Sequence, residues 1–270
     1  MIIDSRVKNL ITKTNLYIGD SIQEIQLNHR YRLVDTFGLT VGMRILEIGC
    51  GQGDTSVVLA DIVGPTGHVT AIDLGSPAYG APVSLGEATK RIKSSPIGKA
   101  IDFLLETDFL DFVIPQDYDA VVLSHCSWYF KSEDELLAYL IKIKTISAKL
   151  CFAEWDININ NSTQIAHYNA AILAAIYSQQ VTNEGNIQSL FSPQAIQTLL
   201  ARANFAEQTF FSISSDYLQD GQWEVDFVNA IYPDLKNSTT WNPVLCQSLL
   251  ETMNVQKTVK SLDSFVIVAR

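Results

Sequence analysis

One stretch limits this chain more than any other: RILEIGCGQGDTSVVLADIVGPTGHVTAIDLGS, residues 44–76. An apolar run closes on glycines at alternate positions, Gly49, Gly51 and Gly53. A helix-forming segment then starts near Asp54 and must stop at Gly64-Pro65, a glycine terminator followed by a residue that cannot continue a helix. A second apolar run follows and ends on Asp73. Two strands joined through a helix lie parallel, and a parallel sheet needs helices over both faces.

The rest of the chain keeps the same alternation. Short runs rich in Val, Ile and Phe predict strands over 44–50, 68–74, 100–106, 119–125, 149–155, 207–213 and 264–270. KSEDELLAYLIKIK, 131–144, predicts a helix with Ser132 as N-cap and acids in its first turn. The expected organisation is an N-terminal, polar-faced helical lid over 1–40 and a core over 41–155. A cap insertion follows over 156–190, then a core helix and strand over 191–213, a second cap insertion over 214–262 and the last strand over 263–270. The insertions hold two predicted helices, TQIAHYNAAILAAIYSQQ and PVLCQSLLETM, and SPQAIQTLLARA predicts the core helix between them. Both insertions follow strand ends. The carboxyl ends of parallel strands form the ligand face, so the added segments should cover the pocket.

Composition narrows the class. Of 270 residues 47% are hydrophobic and 18% charged, enough for a large core, and the net charge of −10 with scattered Lys and Arg argues against nucleic acid. Cys50, Cys126, Cys151 and Cys246 show no metal-ligand or disulfide spacing, so no metal is expected and a reducing cytoplasm is the plain reading. No signal-peptide pattern opens the sequence and its apolar runs are too short for a bilayer, which predicts no membrane association. Apolar faces on the N-terminal and cap helices can be buried against this chain or in a homodimer.

The glycine loop admits two ligands. A dinucleotide site wants GxGxxG with the pyrophosphate on the helix N-terminus, but the sixth position here is Asp54, whose charge repels a pyrophosphate. The second reading rests on a resemblance. Glu47-Ile48-Gly49-Cys50-Gly51-Gln52-Gly53, Asp73 twenty residues beyond Gly53, Asp108 in LLETDFLD and the run YDAVVLSHCSWYF together resemble the class I S-adenosylmethionine-dependent methyltransferases. The resemblance implies a Rossmann-like α/β fold, doubly wound, with a seven-stranded mostly parallel sheet, an antiparallel last strand and helical cap insertions. It implies a cofactor site at Glu47, Gly49, Cys50, Gly51, Gly53, Asp73, Leu74, Gly75, Thr107, Asp108, Phe109, Ser124 and His125, with the methionine part over the glycines and the ribose hydroxyls on Asp73. About fifty residues separate the last two strands, where the family usually joins them tightly.

On this reading the chain moves a methyl group from S-adenosylmethionine to an oxygen or nitrogen, with carbon still open, of a small molecule or short peptide. An NAD-dependent oxidoreductase and a non-catalytic S-adenosylmethionine-binding protein are the alternatives. Candidate catalytic residues are His125 at the end of the fourth strand, Glu154 at the end of the fifth, and His167 on the first cap helix. His125 could equally pack beside the adenine, Glu154 pair with an arginine, and His167 face solvent. Trp128, Tyr129 and Trp155 could wall the substrate or fill the joint between sheet and helices. HRYR, 29–32, could close over the cofactor carboxylate or form a solvated helix face, and Leu74–Pro82 is a long Gly/Pro loop on the ligand side.

Overall fold

Seven strands build one sheet: β1 (Arg44–Ile48), β2 (His68–Ile72), β3 (Ile101–Leu104), β4 (Ala120–Ser124), β5 (Leu150–Trp155), β6 (Gln208–Ile213) and β7 (Ser264–Ala269). Their spatial order is β3-β2-β1-β4-β5-β7-β6, and β7 runs antiparallel to both β5 and β6. This is the expected mostly parallel sheet with an antiparallel last strand. The molecule is described here from a computed structural model covering residues 2–179, 187–236 and 242–270. Gln180, the last residue of the first expected cap helix, lies outside the described residues.

The central strands β1 and β4 are apolar along most of their length, since a strand covered on both faces has no side for water. Three strands stop at residues 48, 72 and 104, two short of the expected ends, because there the chain turns out of the ladder toward the ligand face. α3 (Asp54–Val63) ends on Gly64 in a left-handed conformation, φ 66°, as the Gly-Pro signal required. α5 (Glu133–Ile146) starts on Ser132, whose Oγ accepts from the Glu135 amide at 3.2 Å.

Two helices precede the sheet, α1 (Ser5–Thr14) and α2 (Ser21–Thr36). α2 is not the polar-faced element expected of it. It buries Leu27, His29, Tyr31, Leu33 and Val34 and packs on α3 and beside β6 and β7. The expected solvated face at 29–32 is corrected accordingly: His29 and Tyr31 are fully buried. Two helices lie outside the expected set, α4 (Leu85–Lys93) and α8 (Asp220–Lys236). α4 carries a legible signal, a Ser84/Glu87 capping box ahead of Leu85, Thr89 and Ile92 on one face. α8 holds Pro233 in its interior, which masks its period.

The core helix is α7 (Pro193–Arg202), and the cap is α6 (Ile165–Ser178), α8 and α9 (Pro243–Asn254), which pack on one another. They share an apolar cluster that reaches Trp128 and Trp155 at the sheet's carboxyl end. The cap thus has a core of its own, seated over the ligand face. Among the described residues no helix is long and apolar enough to cross a membrane.

Candidate active site

The glycine loop shows three glycines with three different duties. All have positive φ, 75° at Gly49, 53° at Gly51 and 90° at Gly53. A Cβ on Gly49 would stand 2.6 Å from Cys126 Cβ, and one on Gly53 2.8 Å from Ile92 Cδ1, so these two are fixed by packing. A Cβ on Gly51 would meet nothing within 4 Å. Gly51 therefore faces open space beside its backbone, the condition for close approach of a ligand.

Asp73 ties the loop to the end of β2. Its Oδ2 accepts from the Gly51 amide and its Oδ1 from the Gly75 amide, both at 2.7 Å. Glu47 lies beneath, buried and accepting from Ser56 Oγ on α3. Burial lifts its carboxyl to about 8, the Ser56 hydrogen bond working in the opposite direction. Asp54 turns away from the ligand side: it accepts from Tyr17 Oη at 3.2 Å and from Gln23 Nε2, so it clamps the N-terminal helices.

Other expected cofactor residues divide. Asp108 Oδ1 accepts from the Leu110 amide at 2.8 Å and from Tyr139 Oη at 2.9 Å, which fixes the turn after β3. Thr107 binds its own turn through Leu105 O. The Phe109 ring is fully buried, tilted against Tyr139 and under the Lys142 ammonium, so it serves the core rather than a ligand. Leu74 is 66% exposed, and Cys50 and Ser124 are buried at the strand ends.

The acceptor half gathers around Trp155. His125 stands in a left-handed conformation, φ 52°, which aims its ring across the end of β5. Its Nδ1 lies 3.4 Å from Glu154 Oε1, the Glu154 side chain buried and that of His125 9% exposed. Among the described residues no arginine pairs with Glu154. Its Oε2 accepts from the Ser127 amide at 2.9 Å and Ser127 Oγ at 2.8 Å, and its Oε1 from the Trp155 amide at 2.9 Å. Three donors thus converge on this buried carboxyl, beside the His125 imidazole.

His167 is fully buried, which corrects the solvent-facing alternative. Its Nδ1 accepts from the Leu262 amide at 2.9 Å, and its ring meets Trp155 edge-on at 5.3 Å. Burial lowers its pKa to about 4, so at neutral pH it is an uncharged wall with little tendency to take a proton. Trp128 and Trp155 are buried between sheet and cap, whereas Tyr129 is 49% exposed at the rim.

Several residues that the sequence did not assign to the acceptor side meet the site, one of them within the HRYR segment. His29, from α2, lies parallel to Trp155 at 6.4 Å and 6.0 Å from the His125 ring. Glu224, on α8, lies near enough to Tyr79 and Tyr129 to raise both hydroxyls, and burial brings its own carboxyl to about 7. Tyr217 and Ser264 join them through hydrogen bonds to His29. Glu224, Tyr217 and Ser264 carried no signal, because each comes from a separate part of the chain.

The arrangement can be tested for S-adenosylmethionine, which offers a carboxylate, an amine, a sulfonium, a ribose and an adenine. Among the described residues, eight buried side-chain polar atoms have no hydrogen-bond partner. Seven belong to Gln26, Arg30, Ser124, His125, Trp128 and His167, residues of α2, α6 and the end of β4; the eighth is Tyr118 Oη. Buried polar atoms are seldom left unpaired, and such a cluster marks ligand contact. Arg30 Nε and Nη1 suit a carboxylate, Asp73 a pair of hydroxyls, and the open side of Gly51 a close-lying chain. The residues fit the group.

Comparison with known proteins agrees. A family model described as a methyltransferase domain matches residues 45–146. A cyclopropane-fatty-acyl-phospholipid synthase-like protein from Lactobacillus casei, solved by crystallography, superimposes with a TM-score of 0.86 at 32% identity, over 98% of this chain and 97% of that one. Methyltransferase phomM from Diaporthe leptostromiformis is 29% identical over 162 residues, 52% of this chain and 42% of its own length, so the match spans less than half of that relative. Phosphoethanolamine N-methyltransferase 2 of Haemonchus contortus, solved with S-adenosyl-L-methionine, shares the fold at 12% identity and a TM-score of 0.53, over 98% of this chain and 60% of that one. The fold, the glycine loop with its acid and the relatives agree, and the chain belongs to the class I S-adenosylmethionine-dependent methyltransferases.

Proposed function

We propose that this protein acts in the cytoplasm and transfers a methyl group from S-adenosylmethionine to an oxygen or nitrogen of a small molecule or short peptide held under the cap. The observation that carries the acceptor chemistry is the buried pair of His125 and Glu154, with the carboxylate already held by three donors. When bound, the cofactor would supply a methyl group already activated by its sulfonium, the sulfur serving as the leaving group that keeps the electron pair. The chain's own residues do the rest. Arg30, Asp73 and the glycine loop hold and orient the cofactor, and the cap with Trp128 and Trp155 excludes water.

His125 takes the acceptor's proton at Nδ1. That nitrogen is buried and without a hydrogen bond, and the imidazolium formed there faces the Glu154 carboxylate. His167 and Tyr129 complete the wall, and Glu224 at the rim favours an acceptor bearing an amine. Four buried, free cysteines suit a reducing compartment. The acidic chain argues against nucleic acid as the substrate, and the hydrophobics left exposed on the cap helices, Trp223, Val244 and Leu245, suit a homodimer.

A second reading has one observation in its favour. The Lactobacillus casei protein is named for likeness to an enzyme of acyl lipids, which favours a carbon acceptor. The two separate in one assay: purified protein with methyl-labelled S-adenosylmethionine, against amines, hydroxyl compounds, short peptides and unsaturated acyl chains. An oxygen or nitrogen acceptor is expected, with His125→Asn lowering kcat by roughly 10²-fold or more at unchanged KM. Transfer only to acyl chains would support the carbon reading, and tight cofactor binding without transfer to any acceptor would overturn catalysis.

A further inference from the structure

We infer that His125 is drained by a built proton wire, running from His125 Nε2 through Ser264 and His29 to Tyr217 at the edge of the sheet. It rests on the reading of His125 as the base. Every link is a side-chain contact between distant parts of the chain. His125 Nε2 lies 3.4 Å from Ser264 Oγ on β7, and Ser264 Oγ lies 3.1 Å from His29 Nε2 on α2. His29 Nδ1 then lies 2.9 Å from Tyr217 Oη. Ser215 Oγ, 2.9 Å from Ser264 Oγ, steadies the middle of the path.

The two ends differ as a wire requires. His29 and Ser264 are fully buried, whereas Tyr217 is partly exposed. Its hydroxyl accepts from Arg32 Nη1, which also reaches the carbonyl of exposed Ser214. A closed methyltransferase site has to dispose of one proton per turnover while its cap keeps water out, and this path leaves where the cap segment begins, beside the edge strand β6.

The protons balance link by link. In the wire's starting state His125 Nε2–H donates to Ser264, Ser264 O–H to His29 Nε2, and His29 Nδ1–H to Tyr217, which assigns no proton to His125 Nδ1, an atom that makes no hydrogen bond. As Nδ1 takes the acceptor's proton, the Nε2 proton passes to Ser264 and the Ser264 proton to His29 Nε2. The His29 Nδ1 proton passes to Tyr217, and the Tyr217 proton to water. Each group gains one proton and gives one, and a single proton has crossed. His29 never needs to persist as a cation. Its burial and the neighbouring Arg30, His125 and Arg32 all oppose that charge, and an imidazole relays by exchanging tautomers. The hydroxyls and tautomers then turn back before the next cycle.

The test reads exchange of the histidine ring N–H protons with water, by NMR on full-length protein with ¹⁵N-labelled histidine and S-adenosylhomocysteine as the added ligand. No acceptor is needed, so the outcome is independent of the His125→Asn assay above. Ser264→Ala should slow exchange at His125 roughly tenfold or more while leaving His29 as in wild type, and Tyr217→Phe should slow both. Ser264→Thr, which keeps a hydroxyl, should restore the wild-type pattern. A structural role alone predicts the opposite sign, because loosened packing speeds exchange. Unchanged or faster exchange at His125 in Ser264→Ala overturns the wire.

Discussion

The cofactor half of the site is built from neighbours in sequence and the acceptor half from strangers. Glu47, Gly51, Asp73 and Asp108 follow one another along three strand ends, and one hydrogen bond from the Gly51 amide to Asp73 joins two of them. His29, His125, Glu154, His167, Tyr217 and Ser264 meet around Trp155 from positions as far as 235 residues apart. The first half is backbone packed too tightly for a side chain at Gly49 and Gly53 and open only beside Gly51. The second is a set of side chains that holds no charge unless a donor or a neutralising partner stands beside it. One scaffold can thus keep its cofactor while its acceptor chemistry varies with the cap.

The two halves should respond to pH with opposite signs, and this is the largest effect expected. The Glu47 carboxyl lies above its usual value, at about 8, so the folded state binds that proton more tightly than the unfolded one. Its contribution is full below about pH 4.5 and is lost as pH rises toward 8, on the order of 3 to 5 kcal/mol. Glu47→Gln should remove that alkaline loss, seen as a Tm difference from wild type that grows between those pH values.

Steric cost in the loop comes next. Gly49→Ala combines a positive φ with a Cβ 2.6 Å from Cys126 Cβ and should cost about 3 kcal/mol in denaturant unfolding. His167 supplies the acid-side counterpart of Glu47. Its pKa of about 4 lies below the usual histidine value, so its contribution is present above about pH 6.5 and lost as pH falls toward 4. Removing it with His167→Asn should flatten that acid limb by about 2 to 3 kcal/mol.

The smallest stability change sharpens the comparison most. Gly51→Ala meets no neighbour and should cost only about 1 kcal/mol for its φ, yet it should lose most of its affinity for S-adenosylmethionine. If Gly49→Ala and Gly51→Ala behave alike in both measurements, the division of labour within the loop is wrong.

The sequence showed what is local. An alternating glycine loop, a terminator at Gly64 and an acid twenty residues beyond Gly53 each sit on one element, so the strands could be read locally, while the antiparallel last strand came from the family resemblance these motifs carry. Strand ends were overrun by two residues at β1, β2 and β3 because apolar runs continue into the turns. The acceptor half was legible at His125, Glu154 and Trp155, which end strands, and at Trp128, Tyr129 and His167 on the segments that follow them. His29 was hidden in a helix whose inward face is mixed, with Gln26, Asn28 and His29 buried among apolar residues, so no period marked it. Glu224 sat in a helix that itself went unrecognised, and Tyr217 and Ser264 become functional only through His29. Long-range hydrogen bonds leave no spacing in a sequence.

Titration calorimetry of the protein with S-adenosylmethionine, its demethylated product and NAD, repeated on Asp73→Ala and Arg30→Ala, addresses the central assignment most directly. Binding of the first two near the micromolar range, about −8 kcal/mol, with loss in Asp73→Ala, weakening in Arg30→Ala and no heat from NAD, is the expected result. Binding of NAD in place of S-adenosylmethionine, or full affinity in both variants, would contradict it.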